Sequence, residues 1–372
     1  MRSGLAKTLS VIVSCVIATL AAEAVMRVEY EPIDFLRPDF ANDEVLRFRI
    51  QPHSAGHDAW GFRNRSVPAR ADIVAIGDSM TYGNGAPATG SWPSWLARET
   101  GQTVYNLGLG GLGPPDYLRL LETQALQLHP SLVIVGIYLG NDLSDTVDRV
   151  YSREHWRDLR SAASGGEPRV ASPAFDPNEP AARVWMEQHS MLFRLIQGGP
   201  VGQTINRFAD RSRAERARGC TVDSGSPFPT LLTPSQRLED VDLSSPTIQD
   251  GLEITQKILT RMRRRADEAG TRLLILLIPT KETVFDGLAD ASRDPGCADV
   301  MRRVVSNEQI IRSRIVEELE QEGTAYVDVL PALKSGVHAG TERMFLRSGD
   351  MHPNEQGYRA IAAVIEPSVR GR

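Results

Sequence analysis

At 372 residues, 41% of them apolar, the chain is long enough to bury one large core with room for additions. Its 42 Lys and Arg against 47 Asp and Glu leave a formal net charge of −5, which excludes a general nucleic-acid binder. The basic runs 211–218 and 261–265 are short and interleaved with acidic or apolar residues, the pattern of solvated helix faces.

In chain order, Arg2 and Lys7 come first, ahead of an apolar stretch from Thr8 to Met26. That length approaches the roughly 20 residues that cross a bilayer, and the basic flank predicts that the N-terminal end stays in the cytoplasm. Ala22-Glu23-Ala24 resembles a cleavage site, which would give a secreted form. Ile12-Val13-Ser14-Cys15 resembles a lipoprotein box, but the chain after Cys15 stays apolar. The expectation is an uncleaved, single-pass signal anchor over residues 1–28 in the inner membrane, with Glu23 and Arg27 near the outer interface and everything after it periplasmic. Residues 29–70, with Trp60-Gly61-Phe62-Arg63-Asn64, read as a connecting region.

A core domain is expected over 71–368. Continuous apolar runs predict strands at Ile73–Ile76, Thr103–Leu107, Leu132–Tyr138, Arg272–Ile278 and Ala325–Val329, as suits strands buried on both faces. Between the first two, Ser91 is placed to cap a helix with Trp92-Pro93 in its first turn, and Gly101 to end it. Asp116 opens a helix with Tyr117, Leu121, Ala125 and Leu128 on one face; Ile254, Ile258, Met262 and Ala266 mark another, and Ile311, Ile315 and Leu319 a third. Such alternation predicts a parallel sheet with right-handed crossovers and helices on both sides. The stretch 151–250, rich in Pro, Gly, Ser and Arg, interrupts it as an insertion, with Ala182–Leu195 its best helical segment and a lid or one wall of the site its expected role. Cys220 and Cys297 both sit in loop sequence and can pair in an oxidising compartment or remain free thiols.

Four separated blocks carry the chemistry. Gly77-Asp78-Ser79-Met80-Thr81-Tyr82-Gly83 follows the first core strand and displays a hydroxyl at a strand end. Asn106-Leu107-Gly108-Leu109-Gly110-Gly111 and Gly140-Asn141-Asp142 follow the next two, and Asp350-Met351-His352-Pro353-Asn354 lies near the C-terminus. A serine needs a base, and His352 is the candidate, with Asp350 to orient its ring. The oxyanion of acyl transfer needs fixed donors, for which the Ser79 N–H, an N–H of the 108–111 turn and the Asn141 amide are candidates. Singly, each residue has an ordinary role: Ser79 a helix cap, Asp78 a turn brace, Asn141 a turn closer, Lys281 a solvent-facing charge. His53, His57, His129, His155, His189 and His338 read as surface histidines, with no metal-ligand spacing around them. Neither a metal nor a dissociable cofactor is indicated.

Together the four blocks resemble the SGNH, or GDSL-type, hydrolase superfamily. The resemblance implies an α/β fold, a flavodoxin-like three-layer α/β/α sandwich with a parallel sheet, and a hydrolase domain over 71–368. It also implies Ser79 as nucleophile, His352 and Asp350 as its relay, and an oxyanion hole of Ser79, Gly111 and Asn141. Many members place the acid three residues before the histidine, where this chain has Gly349. A membrane-anchored cell-envelope subset is similar in using Asp-x-His, in a segment like Gly61-Phe62-Arg63 and in a turn like Pro279-Thr280-Lys281. Within that subset esterases and O-acetyl transferases both occur. The leading expectation is a serine esterase acting on an acylated small molecule or glycan, with acetyl as the acyl group. The alternatives are a glycan O-acyltransferase using the same acyl-enzyme and a non-catalytic envelope binding protein. The oligomeric state is left open.

Overall fold

The computed structural model describes residues 2–161, 179–198, 221–222, 228–288 and 295–370. The chain starts as a helix, Arg2–Glu29, whose apolar side chains from Leu9 to Val28 are largely exposed. It is long and apolar enough to cross a membrane. An antiparallel pair follows, β1 (Phe40–Asn42) and β2 (Phe48–Ile50), with Phe48 and Ile50 turned into the core. Then come β3 (Ile73–Gly77), β4 (Val104–Gly108) and β5 (Leu132–Tyr138). A short antiparallel pair, β6 (Thr221–Val222) with β7 (Thr230–Leu231), precedes β8 (Arg272–Ile278) and β9 (Ala325–Asp328).

The central sheet runs β4-β3-β5-β8-β9, and every pairing in it is parallel. The chain therefore winds outward from β3 in both directions, and the order reverses between β3 and β5. Alternate residues of each strand feed two cores, because side chains in a strand alternate faces. Val74, Ile76, Val133, Val135, Ile275 and Leu277 pack on one side, against helices Pro114–Thr123, Asp142–Ser152 and Pro246–Glu268. Ile73, Ala75, Ile134, Leu274 and Leu276 pack on the other, against Trp92–Thr100, Leu330–Ala339 and Glu355–Arg370. The result is an α/β sandwich of three layers.

The strands lie within a residue or so of their expected positions, whereas the helix ends differ for local reasons. The helix expected from Asp116 begins at Pro114, whose missing N–H suits a first turn, and Asp116 accepts from the Gly113 N–H at 3.1 Å. It stops at Thr123, and Ala125–Leu128 form a separate 3₁₀ turn. Ser91 precedes its helix without capping it, because Pro93 removes one of the donors a cap would engage; its Oγ bonds Ala88 O and Ser94 Oγ at 3.0 Å each. The expected helix Ala182–Leu195 is two helices, Ala181–His189 and Met191–Gly198, broken at Ser190, where backbone N–H groups turn to another partner. Cys15 is free and Cys297 is disulfide-bonded, while Cys220, its candidate partner, lies outside the described residues.

Candidate active site

Parallel sheets place functional groups at the carboxyl ends of their strands, above all where the strand order reverses. β3 and β5 flank that reversal here. Asp78, directly after β3, caps the short helix Ser79–Tyr82 by accepting the Met80 N–H at 2.8 Å. Ser79 is thereby fixed as the first helical residue, half-buried. Burial raises the Asp78 pKa from 3.8 to about 6, against the pull of the Met80 N–H and the His352 charge.

Ser79 Oγ lies 2.7 Å from His352 Nε2. It is 3.3 Å from Asp78 Oδ2, so the histidine is the better-placed partner. On the far side of the ring, His352 Nδ1 stands 2.6 Å from Asp350 Oδ1. A carboxylate there makes Nδ1 the protonated nitrogen and leaves Nε2 free to take a proton from the hydroxyl. The same Oδ1 also accepts the His352 backbone N–H at 2.9 Å. This turn, closed by a side chain onto the backbone two residues on, lets an acid at the i−2 position reach the ring. Burial alone would raise the Asp350 pKa, but hydrogen bonds and charge from His352, with the Lys281 charge behind them, hold it below its ordinary value of 3.8.

The turn after β5 supplies Asn141, whose Nδ2 donates to Asp145 Oδ2 at 2.9 Å. Its Oδ1 is buried without a hydrogen-bond partner among the described residues. The next residue, Asp142, is fully buried and closes the turn by accepting from Tyr117 Oη at 2.8 Å and the Tyr138 N–H at 2.9 Å. Burial first, and then the nearby Asp78 charge, push the Asp142 pKa well above 3.8. After β4, Gly110 packs on Ser79: a Cβ on it would meet Ser79 Cβ at 3.4 Å. Gly111 takes φ +79, a conformation that favours glycine, and its carbonyl accepts from Arg149 Nη2 at 3.1 Å. Arg149 is itself buried and paired with Asp116 at 2.9 Å.

Several residues around the site carry no local sequence signal. Lys281 is the clearest departure from expectation. It is 1% exposed, not solvent-facing. Its Nζ donates to the carbonyls of Ser348 and Asp350 at 2.9 Å and of Leu231 at 3.1 Å, tying down the loop that carries Asp350 and His352. Burial lowers its pKa from 10.5 to about 8, offset in part by Glu282 and Asp350. Its place just past the end of β8, in the Pro279-Thr280-Lys281 turn, was the hint the sequence offered. Arg237, on helix Pro234–Val241, within the stretch expected to be an insertion, donates to Gly140 O beside Asn141 and to Met351 Sδ at 3.3 Å. A single guanidinium thus spans the Asn141 turn and the His352 loop. Gly85 comes so close to that loop that a Cβ on it would stand 2.6 Å from Pro353 O. Asn354 Oδ1 accepts from the Gly357 N–H at 3.1 Å, fixing where helix Glu355–Arg370 starts behind the histidine.

His57 is likewise not at the surface. It is 3% exposed, its Nδ1 donates to Ser54 O at 2.8 Å, and its Nε2 accepts from Tyr82 Oη at 2.9 Å, so it backs the Ser79 helix. Burial depresses its pKa from 6.5 to about 4. Arg63, in the Gly-Phe-Arg segment, donates to the carbonyls of Gly83 and Ala86 at 2.9 and 3.1 Å and bonds Asp34 at 3.0 Å. Arg63 therefore braces the turn that follows Ser79.

The chain is similar in structure to a member of the lipolytic G-D-S-L family from Veillonella parvula, at 14% identity and TM-score 0.37, covering 81% of this chain and 98% of that one. A GDSL-like lipase from Bacteroides thetaiotaomicron matches at 10% identity and TM-score 0.38, covering 80% and 87%. A mutant acetylxylan esterase from Geobacillus stearothermophilus matches at 13% and 0.39, covering 82% and 96%. No curated protein matches the chain. The sequence pattern of the GDSL-like lipase/acylhydrolase family matches residues 75–360, which takes in all four blocks. The chain belongs to that family of ester-hydrolysing enzymes.

Proposed function

We propose that the protein is a serine esterase of the cell envelope that removes an acyl group, acetyl in the favoured reading, from a glycan. The observation that carries this reading is the unbroken Asp350–His352–Ser79 relay, with contacts of 2.6 and 2.7 Å. In this mechanism Ser79 Oγ attacks the ester carbonyl while its proton passes to His352 Nε2. Asp350, kept ionised by its lowered pKa, holds the imidazolium that results. The developing oxyanion takes hydrogen bonds from the Ser79 and Gly111 N–H groups and from Asn141, whose amide nitrogen has a second hydrogen beyond the one given to Asp145. The alcohol leaves with the proton from His352. Water, deprotonated by His352, then frees the acid and restores Ser79.

The same reading makes helix Arg2–Glu29 an anchor, with the catalytic domain outside the cytoplasm. Its length and apolarity support the anchor, and the basic flank of Arg2 and Lys7 with the disulfide at Cys297 supports that side of the membrane. Full-length enzyme should turn over p-nitrophenyl acetate and label at Ser79 with a fluorophosphonate. Retained turnover in Ser79→Ala would refute the nucleophile, and absence of labelling in folded protein would favour a binder.

One observation favours a transferase as the second reading: helix Pro234–Val241 brings the insertion to both Gly140 and Met351, where an acceptor could be held and water excluded. Mass spectrometry of a purified glycan incubated with an acetyl donor separates the two. Gained acetyl means transfer, and loss alone means hydrolysis.

A further inference from the structure

Outside residues 2–30, four large apolar side chains are exposed among the described residues, and three of them cluster on the helix pair Ala181–His189 and Met191–Gly198. Trp185 is 60% exposed, Ile196 55% and Leu195 46%. Of the pair's charged residues Glu187 turns inward, while the Arg183 and Arg194 side chains stay 56% and 39% accessible. Glu187 is 4% exposed and bonds Arg37 at 2.9 Å and Arg183 at 3.0 Å, and Arg194 donates to Phe35 O at 2.9 Å. A helix packed on a soluble protein buries its apolar stripe and exposes its charges. This pair buries Met191 but leaves Trp185, Leu195 and Ile196 uncovered while Glu187 is buried.

The pair is also fastened to the first helix. Glu23 accepts from Ser190 Oγ at 3.0 Å, from the Met191 N–H at 3.1 Å and from the Leu192 N–H at 3.0 Å. Arg27 donates to His189 O at 2.7 Å. A carboxylate near the end of an apolar helix is unfavourable in lipid unless it is partnered, and these donors partner it. At about 1.5 Å per residue the 28-residue helix is roughly 42 Å long, matching the ~40–45 Å of a bilayer with its headgroups. Glu23 then lies roughly 9 Å below Glu29, where hydrocarbon gives way to headgroups. The junction of the pair at Ser190 and Met191 is held at that depth, with exposed Trp185 on the preceding helix and Tyr30, 54% exposed, at the end of the first helix. Trp and Tyr favour that level of a membrane.

We propose that residues 181–198 form an interfacial helix pair that lies in the outer headgroup layer of the bilayer crossed by the first helix, seating the catalytic domain in a set orientation. The occupant of the apolar face is lipid, argued from its continuity with the membrane-crossing helix. The proposal rests on the anchor reading above, and it requires that helix to be retained, since cleavage after Ala24 would remove Glu23.

The test uses full-length protein in phosphatidylcholine nanodiscs, loaded at several copies and at one copy per disc, with and without acyl chains brominated near the headgroups. The difference in emission between wild type and Trp185→Phe isolates Trp185. That emission is expected to be blue-shifted and to fall by about half or more in brominated discs, as an interfacial Trp requires. Glu23→Ala should weaken the quenching while the protein stays in the disc. Trp185 emission quenched by aqueous iodide and untouched by bromine overturns the proposal and leaves the anchor standing. Blue-shifted emission untouched by bromine, restored to the solvent value on dilution to single copies, assigns the face to a second copy and equally overturns it. A shortened intact mass with loss from the discs overturns both the seating and the anchor.

Discussion

The turn that carries Ser79 and the loop that carries His352 are held by different kinds of contact. Ser79 sits at the end of a buried strand, on a helix capped by the residue before it and backed by Gly110, so its position follows from neighbours a few tens of residues away at most. The loop with Asp350 and His352 is exposed at Asp350, where the side chain is 41% accessible; within it Asp350 bonds His352 and Ser348 bonds Asp350, and a Phe345–Pro353 bridge and an Asn354 N–H to Met344 O bond close its base. What pins it to the sheet comes from elsewhere: Lys281 after β8, Arg237 from the insertion, and the close approach of Gly85. The proposed nucleophile is set by local geometry, whereas its proposed base needs distant parts of the chain to agree.

The largest effect that would sharpen this comparison is chemical. Ser79→Ala should lower kcat on an activated acetyl ester by roughly 10⁴-fold or more with little change in thermal stability, checked by kinetics beside a melting curve. Asp350→Asn should fall short of that, by roughly 10²–10⁴-fold, because the ring loses its orienting charge while the nucleophile remains. Asn141→Ala is expected to lower kcat by about 10²–10³-fold with KM nearly unchanged, the mark of a contact made in the transition state.

Lys281→Met probes the loop itself. It leaves the carbonyls of Ser348 and Asp350 without their buried donor, at a cost of about 1–3 kcal/mol for each polar group left unsatisfied. Activity should fall together with stability, unlike Ser79→Ala, and intact activity with an unaltered melting curve would break the comparison. Combined with Arg237→Met, the loss should differ from the sum of the single losses, because both side chains hold one loop.

The smallest effect concerns the Ser79 side. His57 ionises near pH 4 when folded against 6.5 when free, so the stability it contributes is complete above pH 6.5 and is lost as pH falls from 6.5 to about 4. That interval corresponds to on the order of 3 kcal/mol at its acid limit. Asp78 and Asp116, both raised by burial to about 6, act in the opposite sense, since their preference for the neutral form stabilises below pH 3.8 and is lost by about pH 6. Denaturant titrations of wild type and His57→Gln across this range should therefore converge as pH falls. Parallel curves would remove the buried histidine from the account.

The sequence by itself determined the five parallel strands, because continuous Val/Ile/Leu runs are stable only when covered on both faces. It also located the Ser79, Gly111, Asn141 and Asp350–His352 blocks, because tight turns at strand ends demand particular residues at short spacing. Tertiary structure alone decided that Lys281 is buried and that Arg237 joins two turns. It also decided that His57 backs a helix, and that Ser190 splits the pair 181–198 under the grip of Glu23. A long cationic chain, or a histidine beside polar neighbours, looks the same in sequence whether it meets water or carbonyl groups. Only the packing of distant segments settles which it meets.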